Sequence, residues 1–270
     1  MRTLVMEGGG MRGAFSMGFL AGLKEHGLDY RFFDYYVGTS AGACNMTYFL
    51  TDQIEAGLKV WKEYIPNKFI KHKGFSFKEN VAFLEKIFRE LEPLSLSELA
   101  KRKQKAFVAL TNFQTKQTDY ICLNDSEDPV ILLTTSVNWP LFQSPIRIGY
   151  KLYYDGGLTA AIPLEKAKLL NSDEIWVVLT TPPGYRRKLW KYKLASLFAL
   201  HNPQLRRMIL KRPVIYNQTL EEIERRKDIV VIRPEQSLPL HWRKTDGKAI
   251  KMTLELGKKA AEKMLSKINP

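Results

Sequence analysis

Apolar positions along this chain follow two rhythms, and their alternation predicts the fold. Thr3 to Met6 and Phe33 to Val37 are short, dense apolar runs of strand length, and between them Phe15, Phe19, Leu20 and Leu23 recur at helical spacing. That spacing predicts a helix from about Arg12 to His26, closed by Gly27. A strand, a helix and a second strand in succession form a βαβ unit, and such units build parallel sheets. A second helix carrying Met46, Phe49 and Leu50 follows Ser40.

Further helices are expected over Glu79 to Leu91, with Ala82, Phe83, Ile87, Phe88 and Leu91 as its stripe, and over Leu96 to Lys103 behind a Ser95 cap. Strands are expected at Ala106 to Asn112 and Thr118 to Leu123, and a helix from Pro129 to about Val137. The alternating run Ile146, Ile148, Tyr150, Leu152 and Tyr154 reads as one strand ending at Asp155. Pro163 opens a short helix, and Ile175 to Thr180 is almost purely apolar, as a strand covered on both sheet faces should be. Asp228 to Arg233 reads as one more strand and Asp246 to Ile268 as a charged helix. The class expected is a three-layer α/β/α fold with a mainly parallel central sheet and a basic, mainly helical C-terminal extension.

At 270 residues with 45% hydrophobic content, the chain suffices for one large domain. Pro182-Pro183-Gly184 is the clearest breakpoint, so residues 1–182 are expected as the core and 183–270 as a region packing on it and completing the domain. No apolar run reaches the 18 or more residues of a membrane-spanning helix. The first glycine turn follows the N-terminus too closely for a signal peptide, so a cytoplasmic protein is expected. Cys44 and Cys122 lie far apart in apolar segments and imply neither a disulfide framework nor a metal site.

Glycine-rich turns at two predicted strand ends carry the chemistry. Gly8-Gly9-Gly10-Met11-Arg12-Gly13 presents bare backbone N–H groups at a helix N-terminus, where a developing oxyanion would be stabilised. Gly38-Thr39-Ser40-Ala41-Gly42 matches G-x-S-x-G, in which small flanking residues permit the sharp turn that exposes a serine hydroxyl. Ser40 is therefore the candidate nucleophile, and the N–H groups of Gly9, Gly10, Met11 and Ala41 are the candidate oxyanion donors. Helix capping is the competing role for Ser40. A serine needs a base, for which Asp155 and His26, His72, His201 and His241 are available. Asp155-Gly156-Gly157 has the better setting, at a strand terminus beside two glycines, although Asp-Gly is also a common turn pair.

These three motifs, in this order, resemble those of the patatin-like phospholipase family: G-G-G-x-R-G at Gly8 to Gly13, G-x-S-x-G at Gly38 to Gly42, and D-G-G/A at Asp155 to Gly157. The resemblance covers residues 1 to about 182. It implies a lipid acyl hydrolase in which Asp155 pairs directly with Ser40 as a dyad, with an acyl-serine intermediate and no metal or organic cofactor. Arg12 takes the place of the arginine in the family's glycine motif, either ordering the loop or meeting a phosphate. Three rivals remain: a dinucleotide site at Gly8 to Gly13, which lacks the acidic residue after the second strand; a Ser-His-Asp hydrolase using His201 or His241; and a lipid-binding protein without turnover.

A net charge of +14 favours anionic partners. No Asp or Glu occurs from Ile175 to Leu220, yet nine Lys or Arg residues fall between Arg186 and Arg212. Arg186, Arg187, Lys188, Trp190, Lys191, Tyr192 and Lys193 interleave cations with aromatics, as suits the headgroup level of an anionic bilayer. Peripheral contact with the inner face of the membrane is one expectation, and a solvated helical pair packed on the sheet is the other. Nucleic acid is not the expected partner, because no recognised binding motif accompanies the charge.

Overall fold

A computed structural model of the chain describes residues 1–66, 77–141, 143–240 and 246–268. Strands β1 (Arg2–Met6) and β2 (Tyr35–Gly38) lie parallel, with Thr3 opposite Tyr35 and Met6 opposite Gly38, and α1 (Gly13–Glu25) crosses between them. On the far side of β2 runs β3 (Lys105–Asn112), also parallel. Two antiparallel strands pair with β3, namely β4 (Thr118–Cys122) and β6 (Lys151–Asp155), and β5 (Ile146–Ile148) pairs with β6. Beyond β1 the sheet continues in parallel through β7 (Glu174–Val178) and β8 (Ile229–Ile232). Its order is β5-β6-β3-β2-β1-β7-β8, with β4 on the other edge of β3.

Alternation along β1 sends Leu4 and Met6 to one face and Val5 to the other, and each face is covered. Leu4, Met6, Tyr36, Val108 and Trp176 pack beneath α1, α2 (Ala41–Leu50) and α10 (Gly247–Ile268). The same layer holds α3 (Ile54–Lys59), α4 (Phe77–Lys86), α5 (Leu96–Lys101) and α6 (Pro129–Ser136). Val5, Ile175 and Val177 pack against α7 (Leu164–Leu169) and against Tyr216, Leu220 and Ile223 of α9 (Pro203–Arg225). Tyr154 and Leu158 meet Leu205, Met208 and Ile209 of α9, with Tyr192 of α8 (Leu189–Ser196) alongside. Three layers result, as the apolar pattern implies.

Helix α1 is buried from Gly13 to Leu23 because α10 crosses it at backbone contact. A β-carbon on Gly18 would stand 2.0 Å from the Leu254 carbonyl oxygen, and one on Gly257 would stand 2.1 Å from that of Phe15. The C-terminal helix therefore seals the layer that carries the two glycine turns.

Four local features differ from the sequence pattern. The run from Ile146 to Tyr154 is not one strand but the β5–β6 hairpin, reversed at Gly149, whose φ is +60°, and Tyr150, which is 84% exposed. Two-residue hairpin loops accept glycine at their first central position, and apolar alternation continues through such a loop unbroken. Ser95 does not cap α5 with its side chain; its N–H donates instead to Gln53 Oε1 at 2.8 Å. The α3 helix is not announced by periodicity. Finally, α9 passes through Pro213 to Arg225, since a proline removes one N–H donor and tertiary packing tolerates that loss.

Candidate active site

The first glycine turn leaves β1 and enters a 3-10 turn at Gly10–Arg12 ahead of α1. Gly10 has φ +56°, a left-handed conformation that favours glycine. Gly8 N–H donates to the Ala161 carbonyl at 2.9 Å, and a β-carbon on Gly9 would meet Thr180 Oγ1 at 2.8 Å. Arg12 ties the loop down: its Nε donates to Thr180 Oγ1 at 3.2 Å, and its Nη2 lies 3.9 Å from Glu7 Oε1. Glu7 is fully buried and accepts from Thr180 N–H at 2.6 Å, Thr180 Oγ1 at 3.0 Å and Tyr216 OH at 2.9 Å. The N–H groups of Gly9, Gly10 and Met11 donate to no acceptor among the described residues.

The second turn holds Ser40 at φ 54° and ψ −130°, a sparsely populated conformation for a side chain. Gly38 and Gly42 permit it, because β-carbons there would come within 2.7 Å of Ala43 and of the Met6 and Glu7 carbonyls respectively. Ser40 makes no side-chain cap to α2, so the capping role does not apply. Its backbone N–H donates to Ser136 Oγ at 2.7 Å, and the Ala41 N–H has no acceptor among the described residues.

Sheet register brings Asp155 to Ser40. Both β2 and β6 lie on the same edge of β3: Gly38 pairs with Val108, and Asp155, arriving from the opposite direction, pairs with Leu110. The two strand ends thus meet nearly head-on, and Ser40 Oγ donates to Asp155 Oδ2 at 3.2 Å. Gly157 N–H donates to Oδ1 at 2.7 Å, Thr111 Oγ1 to the Asp155 carbonyl at 2.8 Å, and Asp155 N–H to the Asn138 carbonyl at 3.0 Å. Burial raises the Asp155 carboxyl to about 6, against the Gly157 hydrogen bond and the positive charge of Arg212, which favour ionisation. The carboxylate therefore stands as an unusually basic neighbour to the hydroxyl. Neither described imidazole intervenes: His26 Nδ1 engages the Gly22 carbonyl at 2.8 Å, and His201 is exposed ahead of α9. His72 and His241 lie outside the described residues.

The surroundings include groups that no motif marks. Glu7 and Thr180 anchor Arg12, Ser136 holds the Ser40 amide, and Arg212 Nε donates to the Gly157 carbonyl at 2.5 Å. Only Glu7 carried a positional signal, directly before the glycines.

The basic segment is not uniformly outward. Lys188, Trp190, Lys191 and Lys193 are exposed together with Leu189, Leu194, Leu197 and Phe198. Arg187, however, is buried with its guanidinium on the Tyr216 ring, and Tyr192 turns inward to accept from Arg212 Nη1 at 3.2 Å. Arg186 pairs with Glu224 at 2.5 Å. Helical rotation around α8 and its approach to α9 divide the segment in this way, which a linear charge count does not register.

A family model described as patatin-like phospholipase matches residues 4–168, and a second, a domain of unknown function (DUF6363), matches residues 202–270. The uncharacterized protein YjjU of Escherichia coli (strain K12) is 28% identical over 200 residues, covering 67% of this chain and 52% of that protein. The chain thus spans about half the length of that curated relative. Among solved structures, VipD from Legionella pneumophila superposes with a TM-score of 0.54 at 13% identity, over 98% of this chain and 67% of that one.

Proposed function

The chain belongs to the patatin-like phospholipase family, and on that premise we propose that it is a lipid acyl hydrolase with Ser40 as nucleophile and Asp155 as base. The observation that carries this reading is the direct 3.2 Å hydrogen bond from Ser40 Oγ to a buried carboxylate of raised basicity.

In the first half-reaction Ser40 Oγ attacks the ester carbonyl carbon while its proton passes to Asp155 Oδ2. The carbonyl π electrons move to oxygen, and the oxyanion is received by the N–H groups of Gly9, Gly10 and Met11, with Ala41 completing the set. A single such donor is worth about 3 kcal/mol of transition-state stabilisation. Collapse expels the alcohol, which takes the proton from Asp155 and leaves an acyl-serine. Water then attacks the acyl carbon, giving its proton to Asp155; the second collapse frees the fatty acid as Ser40 Oγ recovers that proton. An aspartate is a weaker base than imidazole, which suits esters, whose alkoxides leave more readily than amines.

Residues 183–270 complete the domain in this reading, since β8 extends the sheet and α10 seals α1. The exposed apolar and cationic face of α8 supports peripheral contact with an anionic bilayer. Among the described residues no helix is long and apolar enough to cross a membrane.

Two measurements test the catalytic assignment together. A fluorophosphonate should label the wild-type protein once, at Ser40, and Ser40→Ala should lose at least about a thousandfold in the hydrolysis of p-nitrophenyl esters. Undiminished hydrolysis by Ser40→Ala would remove Ser40 from the mechanism.

A further inference from the structure

Arg186, Arg226 and Arg233 each pair with a carboxylate. Arg187 and Arg212 pair with none among the described residues. Arg187 is only 6% exposed, and its Nη1 is buried without any hydrogen-bond partner. Arg212 spends Nε on the Gly157 carbonyl and Nη1 on Tyr192 OH, while its Nη2 lies 3.7 Å from where a Gly157 β-carbon would stand. That same point is 3.0 Å from Asp155 Oδ1, so Arg212 flanks the candidate base. Both guanidiniums rest on aromatic faces, Arg187 at 3.6 Å from the centre of Tyr216 and Arg212 at 4.5 Å from that of Trp139.

Buried charge without a counter-charge is costly, and a donor without an acceptor adds to the cost. Here two cations are buried without an ion pair of their own, with Asp155 as a nearby counter-charge, and kept in place. Asn217 clamps the Arg187 backbone from both sides, accepting its N–H at 2.9 Å and donating to its carbonyl at 3.1 Å. Burial, followed by the neighbouring charge of Arg187, lowers Arg212 to about 10, so the two cations feel each other. Counted with Arg12 against Glu7 and Asp155, three positive groups neighbour two negative ones. The surplus charge and the unused N–H groups together describe a site for a monoanion that accepts hydrogen bonds from two forks, which is the chemistry of a phosphodiester.

We propose that Arg187 and Arg212 form an anion subsite for the phosphate of a lipid headgroup, which makes this chain prefer glycerophospholipid over neutral acylglycerol. Arg212 lies within the matched domain of unknown function, and Arg187 lies between the two matched regions, so the subsite is supplied from beyond residues 4–168. It is distinct from the outward lysines of α8, because a residue as buried as Arg187 cannot meet phosphates at a bilayer surface. The preference for a substrate rests on the Ser40–Asp155 reading, whereas the binding of an anion does not.

The test has two arms, each run on wild type, Arg187→Gln and Arg187→Lys with folding checked by circular dichroism. In the first, kcat/KM is compared for a lysophospholipid and a monoacylglycerol of the same acyl chain; Arg187→Gln should lower the phospholipid-to-neutral ratio at least tenfold, with Arg187→Lys intermediate. In the second, inorganic phosphate and glycerol 3-phosphate are titrated calorimetrically at constant ionic strength. Saturable binding of glycerol 3-phosphate to wild type, weakened at least tenfold in Arg187→Gln, is expected. An unchanged ratio, or parallel loss on both esters, overturns the subsite, and binding of inorganic phosphate alone overturns its assignment to a headgroup. Absence of saturable binding by wild type overturns it whether or not the variants fold. Should Ser40→Ala retain hydrolysis, the catalytic reading fails while the titration still decides the subsite.

Discussion

Gly156 lies over Ala109 so closely that a β-carbon on it would come within 2.1 Å of the Ala109 carbonyl oxygen. The contact falls where β6 ends against β3, one residue past Asp155, and it sets how deeply the carboxylate reaches toward Ser40. Flexible side-chain movement cannot relieve a clash with backbone.

Gly156→Ala should therefore push the turn after β6 away from β3. The expected outcome is destabilisation of about 1–3 kcal/mol in urea unfolding, the usual range for overpacking, together with ester hydrolysis reduced far more than the folded fraction. Wild-type activity in a folded Gly156→Ala protein would show that the depth of Asp155 is immaterial.

Asp155→Asn should separate stability from activity. The folded carboxyl sits at about 6 against an ordinary 3.8, so the native state holds its proton more tightly than the unfolded chain does. Its penalty is absent below 3.8, grows as pH rises through the interval to about 6, and is full at neutral pH. Removing the charge should stabilise the fold by about 1–3 kcal/mol at pH 7, with hydrolysis lost. A melting temperature below wild type at pH 7 and equal to it at pH 4 would reverse this sign.

As the proposed base, the same carboxyl sets the expected pH dependence of turnover. Because the base must be ionised, kcat/KM for a neutral ester should be level above about 7 and fall roughly tenfold per unit below about 6. A profile that stays level down to pH 4 would exclude Asp155 as the titrating base.

Vesicle binding should depend on the exposed side chains of residues 188–198, in and around α8. Co-sedimentation with anionic vesicles is expected to weaken with rising salt, and Lys188→Glu with Lys191→Glu should reduce partitioning by roughly 1 kcal/mol or more per site. Trp190→Ser and Phe198→Ser, at residues 56% and 77% exposed, should weaken it without altering thermal stability. Equal sedimentation with neutral and anionic vesicles at every salt concentration would reject the docking face.

Much of this architecture was legible in the chain. Strands β1, β2, β3 and β7 announce themselves because a strand buried on both faces must be apolar along its length. The two glycine turns are legible for a local reason: Gly42 and Gly9 have no room for a β-carbon, and Gly10 requires a left-handed backbone. Other features were silent. The Gly149 reversal keeps the alternation of a single strand, α3 has no marked stripe, and α9 runs through a proline that usually ends helices.

Residue order alone thus determined the candidate nucleophile, its strained turn and the class of fold, since each depends on neighbours within a few positions. Folding in three dimensions decided the rest. That Asp155 meets Ser40 follows from two strands sharing one edge of β3, and that Arg187 turns inward while Lys188 faces water follows from the clamp on α9. Register and packing join groups more than a hundred residues apart, and no short-range pattern encodes which of them will touch.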